Sequence, residues 1–122
     1  MGITSDPDSP HRPGRLRARS DFARVMRRGR RSRHALLQCV ASRNVEANSR
    51  IGYSVSKQVG GAVVRNRVKR RLRMIVREFD WVPGFDVVIV ARPEARSATY
   101  GELRQAVQEN ADRLRLRAAE DR

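Results

Sequence analysis

One cysteine, two histidines and 13 acidic residues are all that this 122-residue chain offers of the side chains that most often cut bonds or hold metals. Cys39 has no partner for an internal disulfide, and its apolar neighbours mark it as a buried thiol rather than a nucleophile. His11 lies in a Pro-rich stretch, and His34 stands alone near a strand start. No Cys/His spacing suits a metal, and no glycine loop suits a phosphate cradle. Asp80, Asp86 and Glu78 are too scattered for the acidic metal site of a stand-alone nuclease, and Gly60-Gly61 reads as a turn. No apolar run nears the roughly 20 residues of a membrane span. The N-terminus shows no hydrophobic signal segment. The expectation is a protein of a reducing cytoplasm that binds rather than catalyses.

What the chain has in abundance is arginine. Lys+Arg number 27, the net charge is +14 and the pI is near 11.7; only Lys57 and Lys69 are lysine. Guanidinium groups fork onto phosphates and stack on bases, so a polyanion, nucleic acid first, is the natural partner. The densest stretch runs from Arg65 to Arg77 and reads as one helix. At about 100° per residue, Val64, Val68, Leu72, Ile75, Val76 and Phe79 form one apolar arc, and every Lys and Arg lies outside it. Such a helix docks by one face and shows cations on the rest.

The length suits one domain with one modest core. Residues 1–14, with three prolines and no apolar periodicity, read as a disordered tail. Ser20 is a candidate N-cap for a first helix with Phe22, Val25 and Met26 on its apolar edge, ending at Gly29 in the basic cluster 27–31. Residues 36–41 read as a strand. Ile51, Tyr53 and Val55 alternate with Gly52, Ser54 and Ser56, which predicts a half-buried strand whose other face is small and hydroxylated. The basic helix covers about 62–79. Residues 85–91, Phe-Asp-Val-Val-Ile-Val-Ala, are more continuously apolar, as in a central strand. Thr99 or Ser97 caps a last helix bearing Leu103, Ala106, Val107, Asn110 and Leu114, and the charged residues from 115 on fray. The predicted order is helix, strand, strand, helix, strand, helix.

The stretch Ile51-Gly52-Tyr53-Ser54-Val55-Ser56-Lys57, followed by Gly60-Gly61-Ala62-Val63-Val64-Arg65-Asn66-Arg67-Val68-Lys69-Arg70-Arg71-Leu72-Arg73, resembles the bacterial ribonuclease P protein family. Arg15-Leu16-Arg17 with Ser20-Asp21-Phe22, Ala91-Arg92-Pro93 and Tyr100-Gly101-Glu102-Leu103 resemble the same family's flanking elements in order. The likeness covers roughly residues 15–116, leaving 1–14 as tail and 117–122 as a frayed end. It implies an α+β fold: a small mixed sheet packed with three helices, with a left-handed βαβ crossover like that of the second domain of a small-subunit ribosomal protein. It also implies an accessory role in an RNA-catalysed endoribonuclease of tRNA processing. The partners would be ribonuclease P RNA and precursor tRNA, with no membrane and no small-molecule substrate. The RNA would hold most of the Mg2+, and the protein alone none.

Under that resemblance the basic helix divides its labour. Arg65, Lys69 and Arg73, at i, i+4 and i+8 on the margin of the apolar arc, lean over the sheet with Asn66 beside them. With Ser54, Ser56 and Lys57 they would form a groove for the single-stranded 5′ leader, where Phe22 stacks on a base and Met26 packs beside it. Arg67, Arg70, Arg71 and Arg77 point further round, toward phosphates of the catalytic RNA. Three positions depart from the family pattern. Met26 replaces a second aromatic, Gln38 or Cys39 stands at an often aromatic cleft position, and Gly61 replaces an Asn. A basic ribosomal protein or ribosome-assembly factor is the alternative reading.

Overall fold

The segment Phe85–Ala91, apolar except for Asp86, forms the central strand of a five-stranded mixed sheet in the computed structural model, which describes residues 13–118. In chain order the elements are β1 (Gly14–Arg15), α1 (Arg19–Arg28), β2 (Arg30–Arg33), β3 (Leu37–Arg43), β4 (Arg50–Ser54), α2 (Ala62–Arg77), β5 (Phe85–Ala91), a 3₁₀ turn (Pro93–Ser97) and α3 (Tyr100–Arg113). The strand order is β1-β4-β5-β3-β2. β4 is parallel to both β1 and β5, and β3 is antiparallel to β5 and β2. The fold is the expected α+β class with three helices, and α2 makes the crossover between the parallel neighbours β4 and β5.

Strand alternation sends each residue set to its own face. Leu37, Cys39, Ala41, Ile51, Val87, Ile89 and Ala91 join the buried arc of α2 and the inner face of α3 in the main core. The predicted arc holds: Val68, Leu72, Ile75, Val76 and Phe79 are buried, with Val64 packed against them. The other face carries a smaller cluster, Leu16, Val25, Val40 and Val88, beneath α1. α3 starts at Thr99, whose hydroxyl accepts from the Glu102 amide while the Glu102 carboxylate accepts from the Thr99 amide. Cys39 is buried, and burial pushes its thiol up to about 12.

The structure departs from the sequence reading at its edges. Two strands escaped it. Gly14–Arg15 was assigned in part to the tail, yet pairs with Arg50 and Ile51; most of the tail lies outside the described residues. Arg30–Arg33 has no apolar residue to betray it, since an edge strand buries only Ser32, against Asn110 of α3. α1 begins one residue before Ser20, with Ala18 at the cap and no side-chain capping bond. Residues 115–118 do not fray: Leu116 is buried, its carbonyl accepts from the Val82 amide, and the Ala118 amide donates to Asp80. The apolar Leu116 anchors that charged segment.

Candidate nucleic-acid interface

Register places the face beneath α1 in three cross-strand rows. Val40, Val88 and Gly52 are opposite one another and buried. Val25 and the ring of Phe22 lie over this row. A Cβ at Gly52 would collide with that ring, so glycine is what lets Phe22 lie flat on the strand. On one side of the row come Ser42, Asp86 and Arg50. On the other come Gln38, Val90 and Ser54, and these three remain half-buried. α1 therefore covers two rows and leaves the third as an open floor.

The surroundings of that floor are cationic. Phe22 and Met26, both half-buried, face it from α1. Arg31 and Arg33 of β2 point to the same side of the sheet, as partners of Val40 and Gln38. Arg31 donates to the Met26 carbonyl, so this rim is tied to the helix. At the other side β4 runs out at Ser54 into the exposed Ser56 and Lys57, and thence to Gly61, the N-cap of α2. Arg65 and Asn66 follow in the first turns, half-buried and exposed respectively. A strip floored by Gln38, Val90 and Ser54, with one aromatic wall and the arginines of β2 at its margin, suits a single-stranded nucleic acid, with bases stacked and phosphates at the rim.

α1 is fixed in place by a buried carboxylate. Asp86, fully buried, accepts from Arg50 Nε at 2.9 Å and Nη2 at 2.8 Å, from Arg24 Nη2 at 2.7 Å and from Asn44 Nδ2 at 2.8 Å. Burial alone would raise its carboxyl, but the donors from Arg50, Arg24 and Asn44 together hold it below the ordinary carboxylate value. Asp21 closes the cluster, 3.1 Å from Arg24 and 3.6 Å from Arg50.

The groove differs from the one expected between α2 and the sheet. α2 packs on the large-residue face with Ile51, so it cannot also border Gly52 and Ser54, which point the opposite way. Phe22, Met26 and Ser54 lie on one face of the sheet; Ser56 and Lys57 follow the end of β4, and Arg65 and Asn66 lie in the first turns of α2 beyond them. Lys69 lies further along α2, and Arg73 lines a cavity with Tyr53 across the sheet. Of the residues assigned to the catalytic RNA, Arg70 and Arg77 are exposed. Arg67 and Arg71 instead reach the turn before α3, donating to the carbonyls of Arg96 at 3.0 Å and Ala98 at 3.3 Å. Of the two residues named for the cleft position, Gln38 belongs to the floor and Cys39 to the core. Strand register adds Val90 and Arg33 to the site, and turns Arg31 of the basic cluster 27–31 to the same side.

A family model described as Ribonuclease P matches residues 11–115. The chain is 46% identical over 107 residues to the ribonuclease P protein component of Beutenbergia cavernae, covering 85% of this chain and 90% of that protein. It is 43% identical over 112 residues to the component of Streptomyces avermitilis, covering 82% and 90%. The ribonuclease P protein from Thermotoga maritima superposes with a TM-score of 0.71 at 27% identity, over 78% of this chain and 92% of that one. A Staphylococcus aureus ribonuclease P protein mutant with defective mRNA degradation activity gives 0.78 at 25% identity, over 84% and 88%.

Proposed function

The chain belongs to the ribonuclease P protein family, and on that premise we propose that it binds the catalytic RNA of ribonuclease P and the single-stranded 5′ leader of precursor tRNA. In this reading it promotes endonucleolytic removal of the leader, leaving the mature tRNA 5′ end. The observation that carries it is the uncovered Gln38–Val90–Ser54 row beside Phe22 and Met26 of α1, with Arg31 and Arg33 of β2 on the same side of the sheet. Leader bases would stack on Phe22 and pack on Met26. Leader phosphates would meet Ser54, Ser56, Lys57, Arg65 and Asn66 on one side, and Arg31 and Arg33 on the other.

The exposed surface of α2 serves the second partner. Arg70 and Arg77, seven residues apart, share a solvent-facing stripe. A regular helix surface suits the phosphates of a structured RNA. Arg67 and Arg71 flank it, holding the turn before α3 while keeping their charge toward the same partner. Magnesium would be held mainly by the RNA, which would carry out the hydrolysis. The protein would raise local substrate concentration and screen phosphate repulsion where the leader meets the RNA.

The test is reconstitution. Purified chain is added to catalytic RNA and precursor tRNA at a magnesium concentration too low for the RNA alone. Cleavage at the mature 5′ end should return. A complex that forms but gives no such rescue defeats the reading.

A further inference from the structure

A second basic feature lies on the face opposite the groove. Between the β1–β4 edge and the C-terminal half of α2 is a cavity of about 370 Å3, whose lining includes Arg15, Ile51, Tyr53, Arg73, Arg77 and Asp80. The size is at the lower end of the roughly 300–1,000 Å3 range of small-molecule sites, and is generous for a single phosphate group. Tyr53 points to this side by strand alternation, and its hydroxyl makes no hydrogen bond among the described residues. Burial pushes its phenol up to about 12 against the opposing pull of Arg73, Arg15 and Arg77. At neutral pH the group is thus an unspent donor with three guanidinium groups near enough to act on it.

Nothing among the described residues neutralises those arginines. Arg15, Arg73 and Arg77 make no ion pair there, and the Arg73 Nε–H is buried without an acceptor. Asp80 also has no ion pair there, whereas Glu78 is committed to Tyr100 and Arg104. A bare anion would gain from the cations and be repelled by Asp80. A ligand with both a dianionic end and hydrogen-bond donors uses every group. We propose that this cavity binds one nucleoside 5′-monophosphate unit, its phosphate held by Arg15, Arg73, Arg77 and the Tyr53 hydroxyl, its sugar or base donors turned to Asp80. The unit can be a free nucleotide or an unpaired nucleotide of an RNA chain.

Titration calorimetry of the full chain with adenosine 5′-monophosphate, adenosine and inorganic phosphate tests the site. The monophosphate should bind at least about tenfold more tightly than either fragment. Tyr53→Phe should weaken it about tenfold, as loss of a hydrogen bond to a charged group does. Arg77→Gln should weaken it comparably, while Arg96→Gln, an equal charge change on the 3₁₀ turn, should leave it within twofold. If Tyr53→Phe lowers the thermal midpoint, the exposed Arg77 variant carries the test. Equal losses in the Arg77 and Arg96 variants would mean that only the overall positive field attracts the nucleotide, and the proposal falls. It falls too if inorganic phosphate binds as well as the monophosphate. Repeating the titration on the complex with catalytic RNA, an arm that alone rests on the RNA-binding reading, separates the sources. Heat that vanishes assigns the site to an RNA nucleotide, and heat that persists assigns it to a free one.

Discussion

Arg24 Nη2 lies 2.7 Å from Asp86 Oδ2, and this contact joins the helix that carries Phe22 and Met26 to the central strand beneath it. Because Asp86 is fully buried while Arg24 and Arg50 retain some exposure, the carboxylate depends on its donors more than they depend on it. Removing its charge leaves two arginines facing each other around a neutral amide. Asp86→Asn should therefore cost about 3 kcal/mol, read as a lower urea midpoint at unchanged slope. A loss below about 1 kcal/mol would show that the cluster is dispensable.

Asp86 also predicts acid sensitivity. Its folded carboxyl is lowered, so the unfolded chain binds the proton first as pH falls. Stability is fully present above the unfolded carboxylate value, near 3.9, and is lost as pH drops through the folded value. Wild type minus Asp86→Asn, measured from pH 6 to pH 2, should show a stability difference that shrinks below about pH 4. Parallel curves over that range would assign the acid response to other carboxylates, Glu78 among them, whose bonds from Tyr100 and Arg104 also lower it.

Gly52 tests the seat of Phe22. A methyl group there collides with the ring, which must swing away or lift α1. Gly52→Ala should cost roughly 1–3 kcal/mol, as overpacking does. It should also reduce the preference of the assembled complex for precursor over mature tRNA, since only the precursor carries a leader. Phe22→Ala, which relieves the clash, should recover part of the stability of Gly52→Ala but none of the preference. Full stability in Gly52→Ala would contradict the packing described.

How much of this was legible before the fold was seen depends on what kind of pattern each feature leaves. The arc of α2, the central strand, the Thr99 cap and the alternation of β4 are local regularities, and all four hold. The side on which each helix packs is not local. Small residues on one face of β4 point to a groove walled by α2, but the helix over that face is α1, because the apolar arc of α2 packs on the face of Ile51. β1 pairs with a strand some 35 positions away and β2 is all arginine and serine, so neither has a periodic signature. The bonds of Arg67 and Arg71 were hidden for the same reason: a charge outside an apolar arc is assumed to be solvated until a neighbouring carbonyl is known.

Arg65 and Arg73 separate the two versions of the groove. Arg65 lies in the first turn of α2, just beyond the loop that follows Ser54 at the end of β4, whereas Arg73 lines the Tyr53 cavity on the opposite face of the sheet. Arg65→Ala should lower the precursor-to-mature affinity ratio about tenfold, the loss typical of a hydrogen bond to a charged group. Arg73→Ala should leave that ratio within twofold. Equal effects on the ratio would restore the arrangement in which α2 itself forms the wall.

Arg70, Arg67 and Arg71 are adjacent on one helix but should respond differently to removal. Arg70 is exposed and makes no side-chain bond among the described residues, so Arg70→Ala should change stability by less than about 0.5 kcal/mol. If it meets a phosphate of the catalytic RNA, its loss should flatten the slope of log K against log salt by roughly 0.7–0.9 units, the single- and double-strand values. Arg67 and Arg71 each donate to a carbonyl of the segment leading into α3. Their alanine variants should each cost about 1 kcal/mol, the net worth of such a bond, before any RNA is added. Their effect on the salt slope should be smaller than that of Arg70, because tethered guanidinium groups have less freedom to reach a phosphate. Labelled catalytic RNA titrated at several salt concentrations with each single variant, alongside urea unfolding of the free proteins, reads both quantities. If Arg70→Ala leaves the slope unchanged while Arg67→Ala and Arg71→Ala flatten it, the catalytic RNA approaches from the α3 side of α2 and the exposed stripe is solvated.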